Sequence, residues 1–206
     1  MPTLITPEFK GDLAINIDAL LKDFTEKDFF EMCRQNPDLR VEMSKEGNII
    51  FMPPTGGETS GFNFDLIMDF GAWVKRDRTG KGFESNALFV LPNGAKRSPD
   101  MSWMKLERWN KLPEEDRKSF PHICPDFVVE LRSPSDSIKE LKEKMEEYIE
   151  NDAQLGWLID PIQKRAYVYR PGAGAGAEVE ELDSPDSVSG DPLLKGFVLD
   201  LKNYFG

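Results

Sequence analysis

Histidine and cysteine are scarce in this chain. Its 206 residues include a single histidine, His122, and two cysteines, Cys33 and Cys124. Metal sites built on several histidines are therefore excluded, and a Ser-His-Asp or Cys-His arrangement would have to use His122. The cysteines lack C-x-x-C spacing, so they predict neither a disulfide framework nor structural zinc, and they favour a reducing compartment.

Long hydrophobic runs are also missing. The longest apolar clusters are short and the mean hydropathy is −0.48, so no membrane span is predicted. Residues 1–9 have no basic n-region and no apolar run, so we expect no secretory signal and a cytoplasmic protein. The length predicts one domain, residues 1–206.

Basic residues are outnumbered by acidic ones. There are 26 Lys and Arg residues against 37 Asp and Glu residues, a formal net charge of −11. This charge argues against non-specific coating of nucleic acid. It does not exclude a nuclease, because a nuclease site needs carboxylates to hold a divalent cation against phosphate.

The patterning of apolar residues predicts a sheet flanked by helices, of the α/β or α+β class. Thr25 is expected to cap an N-terminal helix that ends near Asn36, and a β-hairpin should follow around Gly47. Longer helices are predicted over residues 58–76 and from Ser137 to about residue 151, with a polar helical excursion over 105–118. Strands are predicted at 83–91, 98–104, 126–132, 155–160 and 165–170, with a final short element at 200–205.

One predicted strand, residues 126–132, contains a carboxylate among apolar residues. Alternation places Val128 and Glu130 on one face and Val129 on the other. Glutamate is depleted in strands and seldom buried unpaired, so Glu130 needs a partner or a cation. Asp100 precedes a short β-like segment that can pair with this strand, and two carboxylates so close repel unless a metal or a proton is shared.

These residues resemble a known signature. Pro99-Asp100 followed by Glu130-Leu131-Arg132 is similar to the PD-(D/E)xK pattern of restriction-endonuclease-like proteins. With three further segments, the chain resembles the Uma-type endonuclease family, also known as domain of unknown function 820. Those segments are Ser133-Pro134-Ser135, Lys144-x-x-x-Tyr148 and the run from Gly156 to Pro161.

The resemblance implies a fold, a cofactor and a substrate. It implies a restriction-endonuclease-like core with a mixed central sheet flanked by helices. In this core Asp100 and Glu130, helped by the Leu131 carbonyl and waters, would ligate Mg²⁺ or Mn²⁺. Glu58, in the first turn of the long helix, matches the superfamily's helical acid. The implied activity is hydrolysis of DNA phosphodiesters, and the implied assembly is a homodimer.

The third letter of the signature departs from the pattern. Arg132 stands where lysine is usual, and a guanidinium stays protonated, so it can contact phosphate but cannot act as a base. The lysine has an alternative place on the following helix, where Lys144 and Lys142 lie on opposite edges of the apolar stripe. Geometry alone does not choose between them, whereas the K-x-x-x-Y spacing of the family favours Lys144.

Other interpretations stay open at this point. Glu130 can simply pair with a cation in the core, and Glu58 can be a helix N-terminal acid without a function. Arg132 in place of lysine favours an inactive nuclease fold that binds nucleic acid or a protein. A third possibility is a metal-independent hydrolase in which Asp100 and Glu130 act as an acid/base pair.

Overall fold

The computed structural model describes residues 13–15, by their backbone, and residues 24–174 and 176–205. The expectation about a secretory signal at residues 1–9 lies outside these ranges, as does Ala175. Among the described residues, no helix combines the length and the apolar character that crossing a membrane requires.

The described residues form six helices and thirteen strands. The helices are α1 (Glu26–Gln35), α2 (Gly57–Asp77), α3 (Leu106–Lys111), α4 (Glu114–Lys118), α5 (Ile138–Glu150) and α6 (Lys202–Phe205). The strands are β1 (Leu13–Ile15), β2 (Val41–Met43), β3 (Ile49–Phe51), β4 (Gly80–Glu84), β5 (Phe89–Val90), β6 (Lys96–Arg97), β7 (Met101–Lys105), β8 (Phe127–Leu131), β9 (Leu155–Asp160), β10 (Arg165–Pro171), β11 (Ala177–Asp183), β12 (Ser187–Ser189) and β13 (Val198–Asp200).

The centre of the fold is a six-stranded mixed sheet in the order β11-β10-β9-β8-β7-β4. Strands β8 and β9 are parallel and are joined through α5, whereas the other neighbouring pairs are antiparallel. This arrangement confirms the predicted mixed central sheet. A parallel pair needs a crossover connection, and α5 supplies it.

Helices cover both faces of this sheet, as the alternation in β8 predicts. Phe127 and Val129 pack with Leu66 and Phe70 of α2 in one apolar cluster. Val128 packs in a second cluster with side chains of α5, among them Met145 and Tyr148. Glu130 has the same strand parity as Val128, so it belongs to the face covered by α5.

A second, five-stranded sheet has the order β1-β3-β2-β6-β5. It contains the predicted hairpin, β2 paired antiparallel with β3, and packs against α1 through Phe29, Val41 and Ile49. Thr25 caps α1 as predicted, because its hydroxyl accepts from the Asp28 N–H and the Asp28 carboxylate accepts from the Thr25 N–H. Strands β12 and β13 form a separate two-stranded sheet.

The predicted strand 83–91 was wrong as a single element, because a turn between Glu84 and Ala87 splits it. The predicted strand 98–104 corresponds to β7, which begins only at Met101, after Pro99, a residue without an N–H to donate to a ladder. As a result, β5 pairs with β6 in the smaller sheet, while β4 pairs with β7 in the central one.

Two glycines in the central sheet predict contrasting effects of substitution. A Cβ at Gly80 would overlap the rigid, buried ring of Trp103, whereas one at Gly156 would come within 2.5 Å of the flexible end of Met145. We expect Gly80→Ala to lower the free energy of unfolding by about 1–3 kcal/mol and Gly156→Ala to lower it less. Urea unfolding measures both, and equal losses would contradict this account of the packing.

Candidate active site

The pairing of β7 with β8 brings Asp100 and Glu130 together. Met101 lies opposite Val129, so Asp100, one residue earlier, stands opposite Glu130, one residue later. Both acids line a single cleft of about 410 Å³. The Asp100 carboxylate also accepts a 2.8 Å hydrogen bond from the backbone N–H of Leu131, which ties the two strand ends together.

Glu130 is a buried carboxylate with two polar partners. It is 5% exposed, and its Oε1 accepts from the Tyr148 hydroxyl at 3.0 Å and contacts Lys144 Nζ at 2.9 Å. Burial, together with the charges of Asp100 and Glu42, raises the pKa of Glu130 to about 8 although Lys144 opposes the rise. Burial also raises the pKa of Asp100. A positive charge placed between these acids would therefore be strongly favoured.

Lys144 lies between two carboxylates. Its Nζ is 2.9 Å from Glu130 Oε1 and 2.9 Å from Glu42 Oε1. Burial lowers the pKa of Lys144, but the two carboxylates outweigh this effect and the net shift is upward. The side chain of Lys144 therefore stays in its protonated form.

Lys142 contacts a different group, because its Nζ lies 4.1 Å from the ring centroid of Tyr167. The structure thus places Lys144, and not Lys142, against Glu130.

Sequence reasoning missed Glu42. It is 2% exposed in β2 and also binds Arg97, at 3.1 Å, and the backbone N–H of Ser98, at 2.8 Å. Burial raises its pKa, but Lys144 and Arg97 outweigh that effect, so the pKa of Glu42 is lowered. Arg97 continues the network to Glu147 at 2.6 Å. The signal was weak, because Glu42 stands between apolar residues as Glu130 does, but its strand has only three residues.

Of the remaining predicted site residues, Glu58 and Leu131 line the cleft and Arg132 does not. Glu58 is exposed in the first turn of α2 and lines the same cleft, as does Leu131. Arg132 is not among the described residues that line this cleft. Its Nη1 donates to Asp160 Oδ2 at 2.8 Å, and Asp160 is fully buried. The guanidinium is therefore engaged in an ion pair at the end of β9.

The donor set fits a hard divalent cation. Full ionisation of four carboxylates, Asp100, Glu130, Glu42 and Glu147, beside the two cations Arg97 and Lys144 would give a formal charge of −2. A cation bound at Asp100 and Glu130 would offset this charge and favour their ionised forms. The hydrogen bonds and ion pairs to Glu130 use Oε1, and the hydrogen bond to Asp100 uses Oδ2, which leaves one oxygen on each. No group of three or more His, Cys, Asp and Glu residues suited to a metal occurs in residues 24–174 and 176–205. Mg²⁺ does not need three protein ligands of this kind, because it binds through one or two carboxylates and keeps several waters.

Comparison with known proteins identifies the family. The family model Uma2, described as "Putative restriction endonuclease", matches residues 26–202. The chain belongs to the Uma2 family. A similar solved structure is that of a "putative nuclease belonging to DUF820" from Anabaena variabilis, with 26% sequence identity and a TM-score of 0.66 over 80% of this chain and 89% of that chain. No curated protein matches the chain.

Membership of the Uma2 family confirms the resemblance that the sequence motifs indicated, and it supports a nuclease function. The family model spans the elements that build the cleft, from α1 to the beginning of α6. The roles of the individual Uma2 residues stay predictions that rest on the contacts above.

The raised pKa of Glu130 predicts how stability depends on pH. Between the ordinary value of 4.5 and about 8, the folded state keeps a proton that the unfolded state releases. The free energy of unfolding should therefore fall as pH rises through this window. Glu130→Gln removes the titrating group, so we expect a smaller fall.

Urea unfolding at about pH 5 and about pH 9 measures this difference. Glu178→Gln, at an exposed position of β11, is the matched control and should keep the wild-type pH dependence. An unchanged pH dependence in Glu130→Gln would contradict the assignment of the raised pKa.

Proposed function

We propose that this Uma2 protein is a metal-dependent hydrolase that cuts phosphodiester bonds of DNA as an endonuclease. The observation that carries the proposal is the shared cleft of Asp100 and Glu130, with the Lys144 ammonium 2.9 Å from Glu130. A crowded acid pair beside a fixed cation suits phosphoryl transfer, in which catalysis consists largely of positioning and charge stabilisation.

Asp100, Glu130 and the Leu131 carbonyl are the proposed ligands of Mg²⁺ or Mn²⁺. When bound there, such an ion supplies an activated water and neutralises charge on the phosphate. Glu58 is proposed to position water or a second ion from the rim of the cleft, since it is exposed and lines it.

Lys144 is proposed to stabilise negative charge that develops on the phosphate. The role of a neutral base is disfavoured in the arrangement described, because the Lys144 ammonium contacts both Glu42 and Glu130, and these carboxyl groups raise its pKa. Arg132 was predicted as a phosphate contact, and this role would require it to leave its ion pair with Asp160. Lys144 therefore takes the place of the motif's lysine in our proposal.

The DNA substrate, the homodimer and the cytoplasmic location are proposals that rest on the Uma2 family and the sequence. A two-fold dimer is the commonest assembly of soluble proteins, and it would let two sites act on two strands. The net charge of −11 implies that DNA binding depends on a divalent cation at the acids and on local cations such as Arg40.

Plasmid cleavage tests the proposed activity. We expect wild-type protein to nick or linearise supercoiled plasmid in the presence of Mg²⁺ or Mn²⁺. This cleavage should stop when a chelator is added in excess. Glu130→Gln should lose this activity, because an amide cannot ligate the ion as a carboxylate does, while the exposed control Glu178→Gln should keep it.

Two outcomes would replace the proposal. Cleavage that persists in excess chelator would favour the metal-independent acid/base pair. A folded wild-type protein that neither cleaves DNA nor takes up Mn²⁺ in calorimetry would favour the inactive binding module.

A matched pair of variants tests the role of Lys144. Lys144→Met removes the cation beside Glu130, whereas Lys142→Met removes a neighbouring cation of the same helix that lies over Tyr167. We expect Lys144→Met to lower kcat at least about 100-fold and Lys142→Met to leave it nearly unchanged. Steady-state cleavage of DNA measures both values of kcat, and equal effects would contradict the placement of the charge.

A further inference from the structure

The first turn of α2 lines the same cleft as Asp100 and Glu130. Helix α2 has 21 residues, and its N-cap, Gly56, provides no side-chain hydrogen bond. The first N–H groups of a helix have no acceptor within the helix, and the helix dipole makes this end positive. The turn therefore presents uncapped donors at the cleft.

Thr59 adds a side-chain donor at this place. It is only 7% exposed and lines the cleft, yet its hydroxyl has no hydrogen-bond partner among the residues that the structure describes. Asn63, one turn further along α2, also lines the cleft, and its Oδ1 is buried without a partner in that same part of the chain. This oxygen is an acceptor, so it calls for a donor and is not a contact for a phosphate. The Thr59 oxygen is not itself enclosed, so its hydroxyl is open to the cleft and available to donate to a ligand there.

The space beside this turn is open. A Cβ built at Gly56 or Gly57 would meet no atom within 4 Å. A ligand can therefore approach the backbone N–H groups without displacing a side chain. Backbone N–H groups at a helix N-terminus with a nearby hydroxyl are typical contacts to a phosphate group.

We propose that the first turn of α2, with the Thr59 hydroxyl, binds a phosphate group of the nucleic acid backbone. This inference rests on the proposed function for the identity of the substrate. The bound phosphate would position the DNA strand in the cleft, so Thr59 is a substrate-binding residue and takes no part in proton transfer.

The charges around the cleft set a condition on this binding. Glu58, Asp100 and Glu130 repel a phosphate, and Arg40 and Lys144 offset only part of that repulsion. Lys144 is already shared between two carboxylates. Phosphate binding should therefore require a divalent cation at the acids. This dependence on a divalent cation distinguishes the proposed site from a generic anion site.

Steady-state cleavage of DNA separates binding from chemistry. Thr59→Val keeps the shape of the side chain but removes the hydroxyl, so we expect KM to rise about tenfold while kcat stays nearly constant. Thr59→Ser should restore KM. The control is Ser60→Ala, since Ser60 is exposed, is the next residue of α2 and does not line the cleft. An unchanged KM in Thr59→Val would overturn the proposal.

Amide chemical shifts give a readout that does not depend on cleavage. Titration of wild-type protein with inorganic phosphate in Mg²⁺ should shift the backbone N–H signals of Gly57, Glu58 and Thr59 and leave that of Gly71, in the same helix, unmoved. The shifts should weaken in Thr59→Val and vanish without Mg²⁺. Shifts in a protein that does not cut DNA would refute the nuclease proposal and keep the phosphate site. Cleavage of DNA without any shift of these amide signals would refute the phosphate site and keep the nuclease proposal.

Discussion

The position of Lys144 between Glu130 and Glu42 is the interaction on which the site depends. The two carboxylates are at most 5% exposed, and a buried charge is costly unless it is paired and hydrogen-bonded. One ammonium serves both acids, and Arg97 serves Glu42 and Glu147 in the same way. Each charged group therefore fixes the position of the next one, and the geometry around Asp100 and Glu130 is held by this chain of alternating charges.

This arrangement explains why the sequence revealed some residues of the site and concealed others. Glu130 was recognisable because it interrupts an apolar strand whose alternation is clear over several residues. Glu42 lies in a strand of three residues, which offers too little alternation to stand out, and its partner Lys144 is 102 positions away. Lys142 and Lys144 could not be separated from the pattern of α5 alone, because the docking of β2 decides which lysine meets a second carboxylate.

The elements of the fold, like the residues of the site, were predictable from the sequence only in part. The helices α1, α2 and α5 and the strands β8, β9 and β10 follow from periodicity and from capping residues such as Thr25. The strand prediction over 83–91 was wrong because apolar residues continue on both sides of the turn after Glu84, so the pattern does not show that the chain passes from one sheet to another. The strand β11 was missed because four of its seven residues are acidic, and acidic residues are depleted in strands.

The site draws its parts from two sheets and from the helices α2 and α5, and this has a consequence for the synthesis of the chain. As the chain leaves the ribosome, Glu42 emerges first, and Lys144 follows only after 102 further residues. A fragment that ends before α5 lacks the ammonium and leaves the acids of the cleft without their shared partner. The charged network of the site therefore cannot assemble until most of the chain has been synthesised.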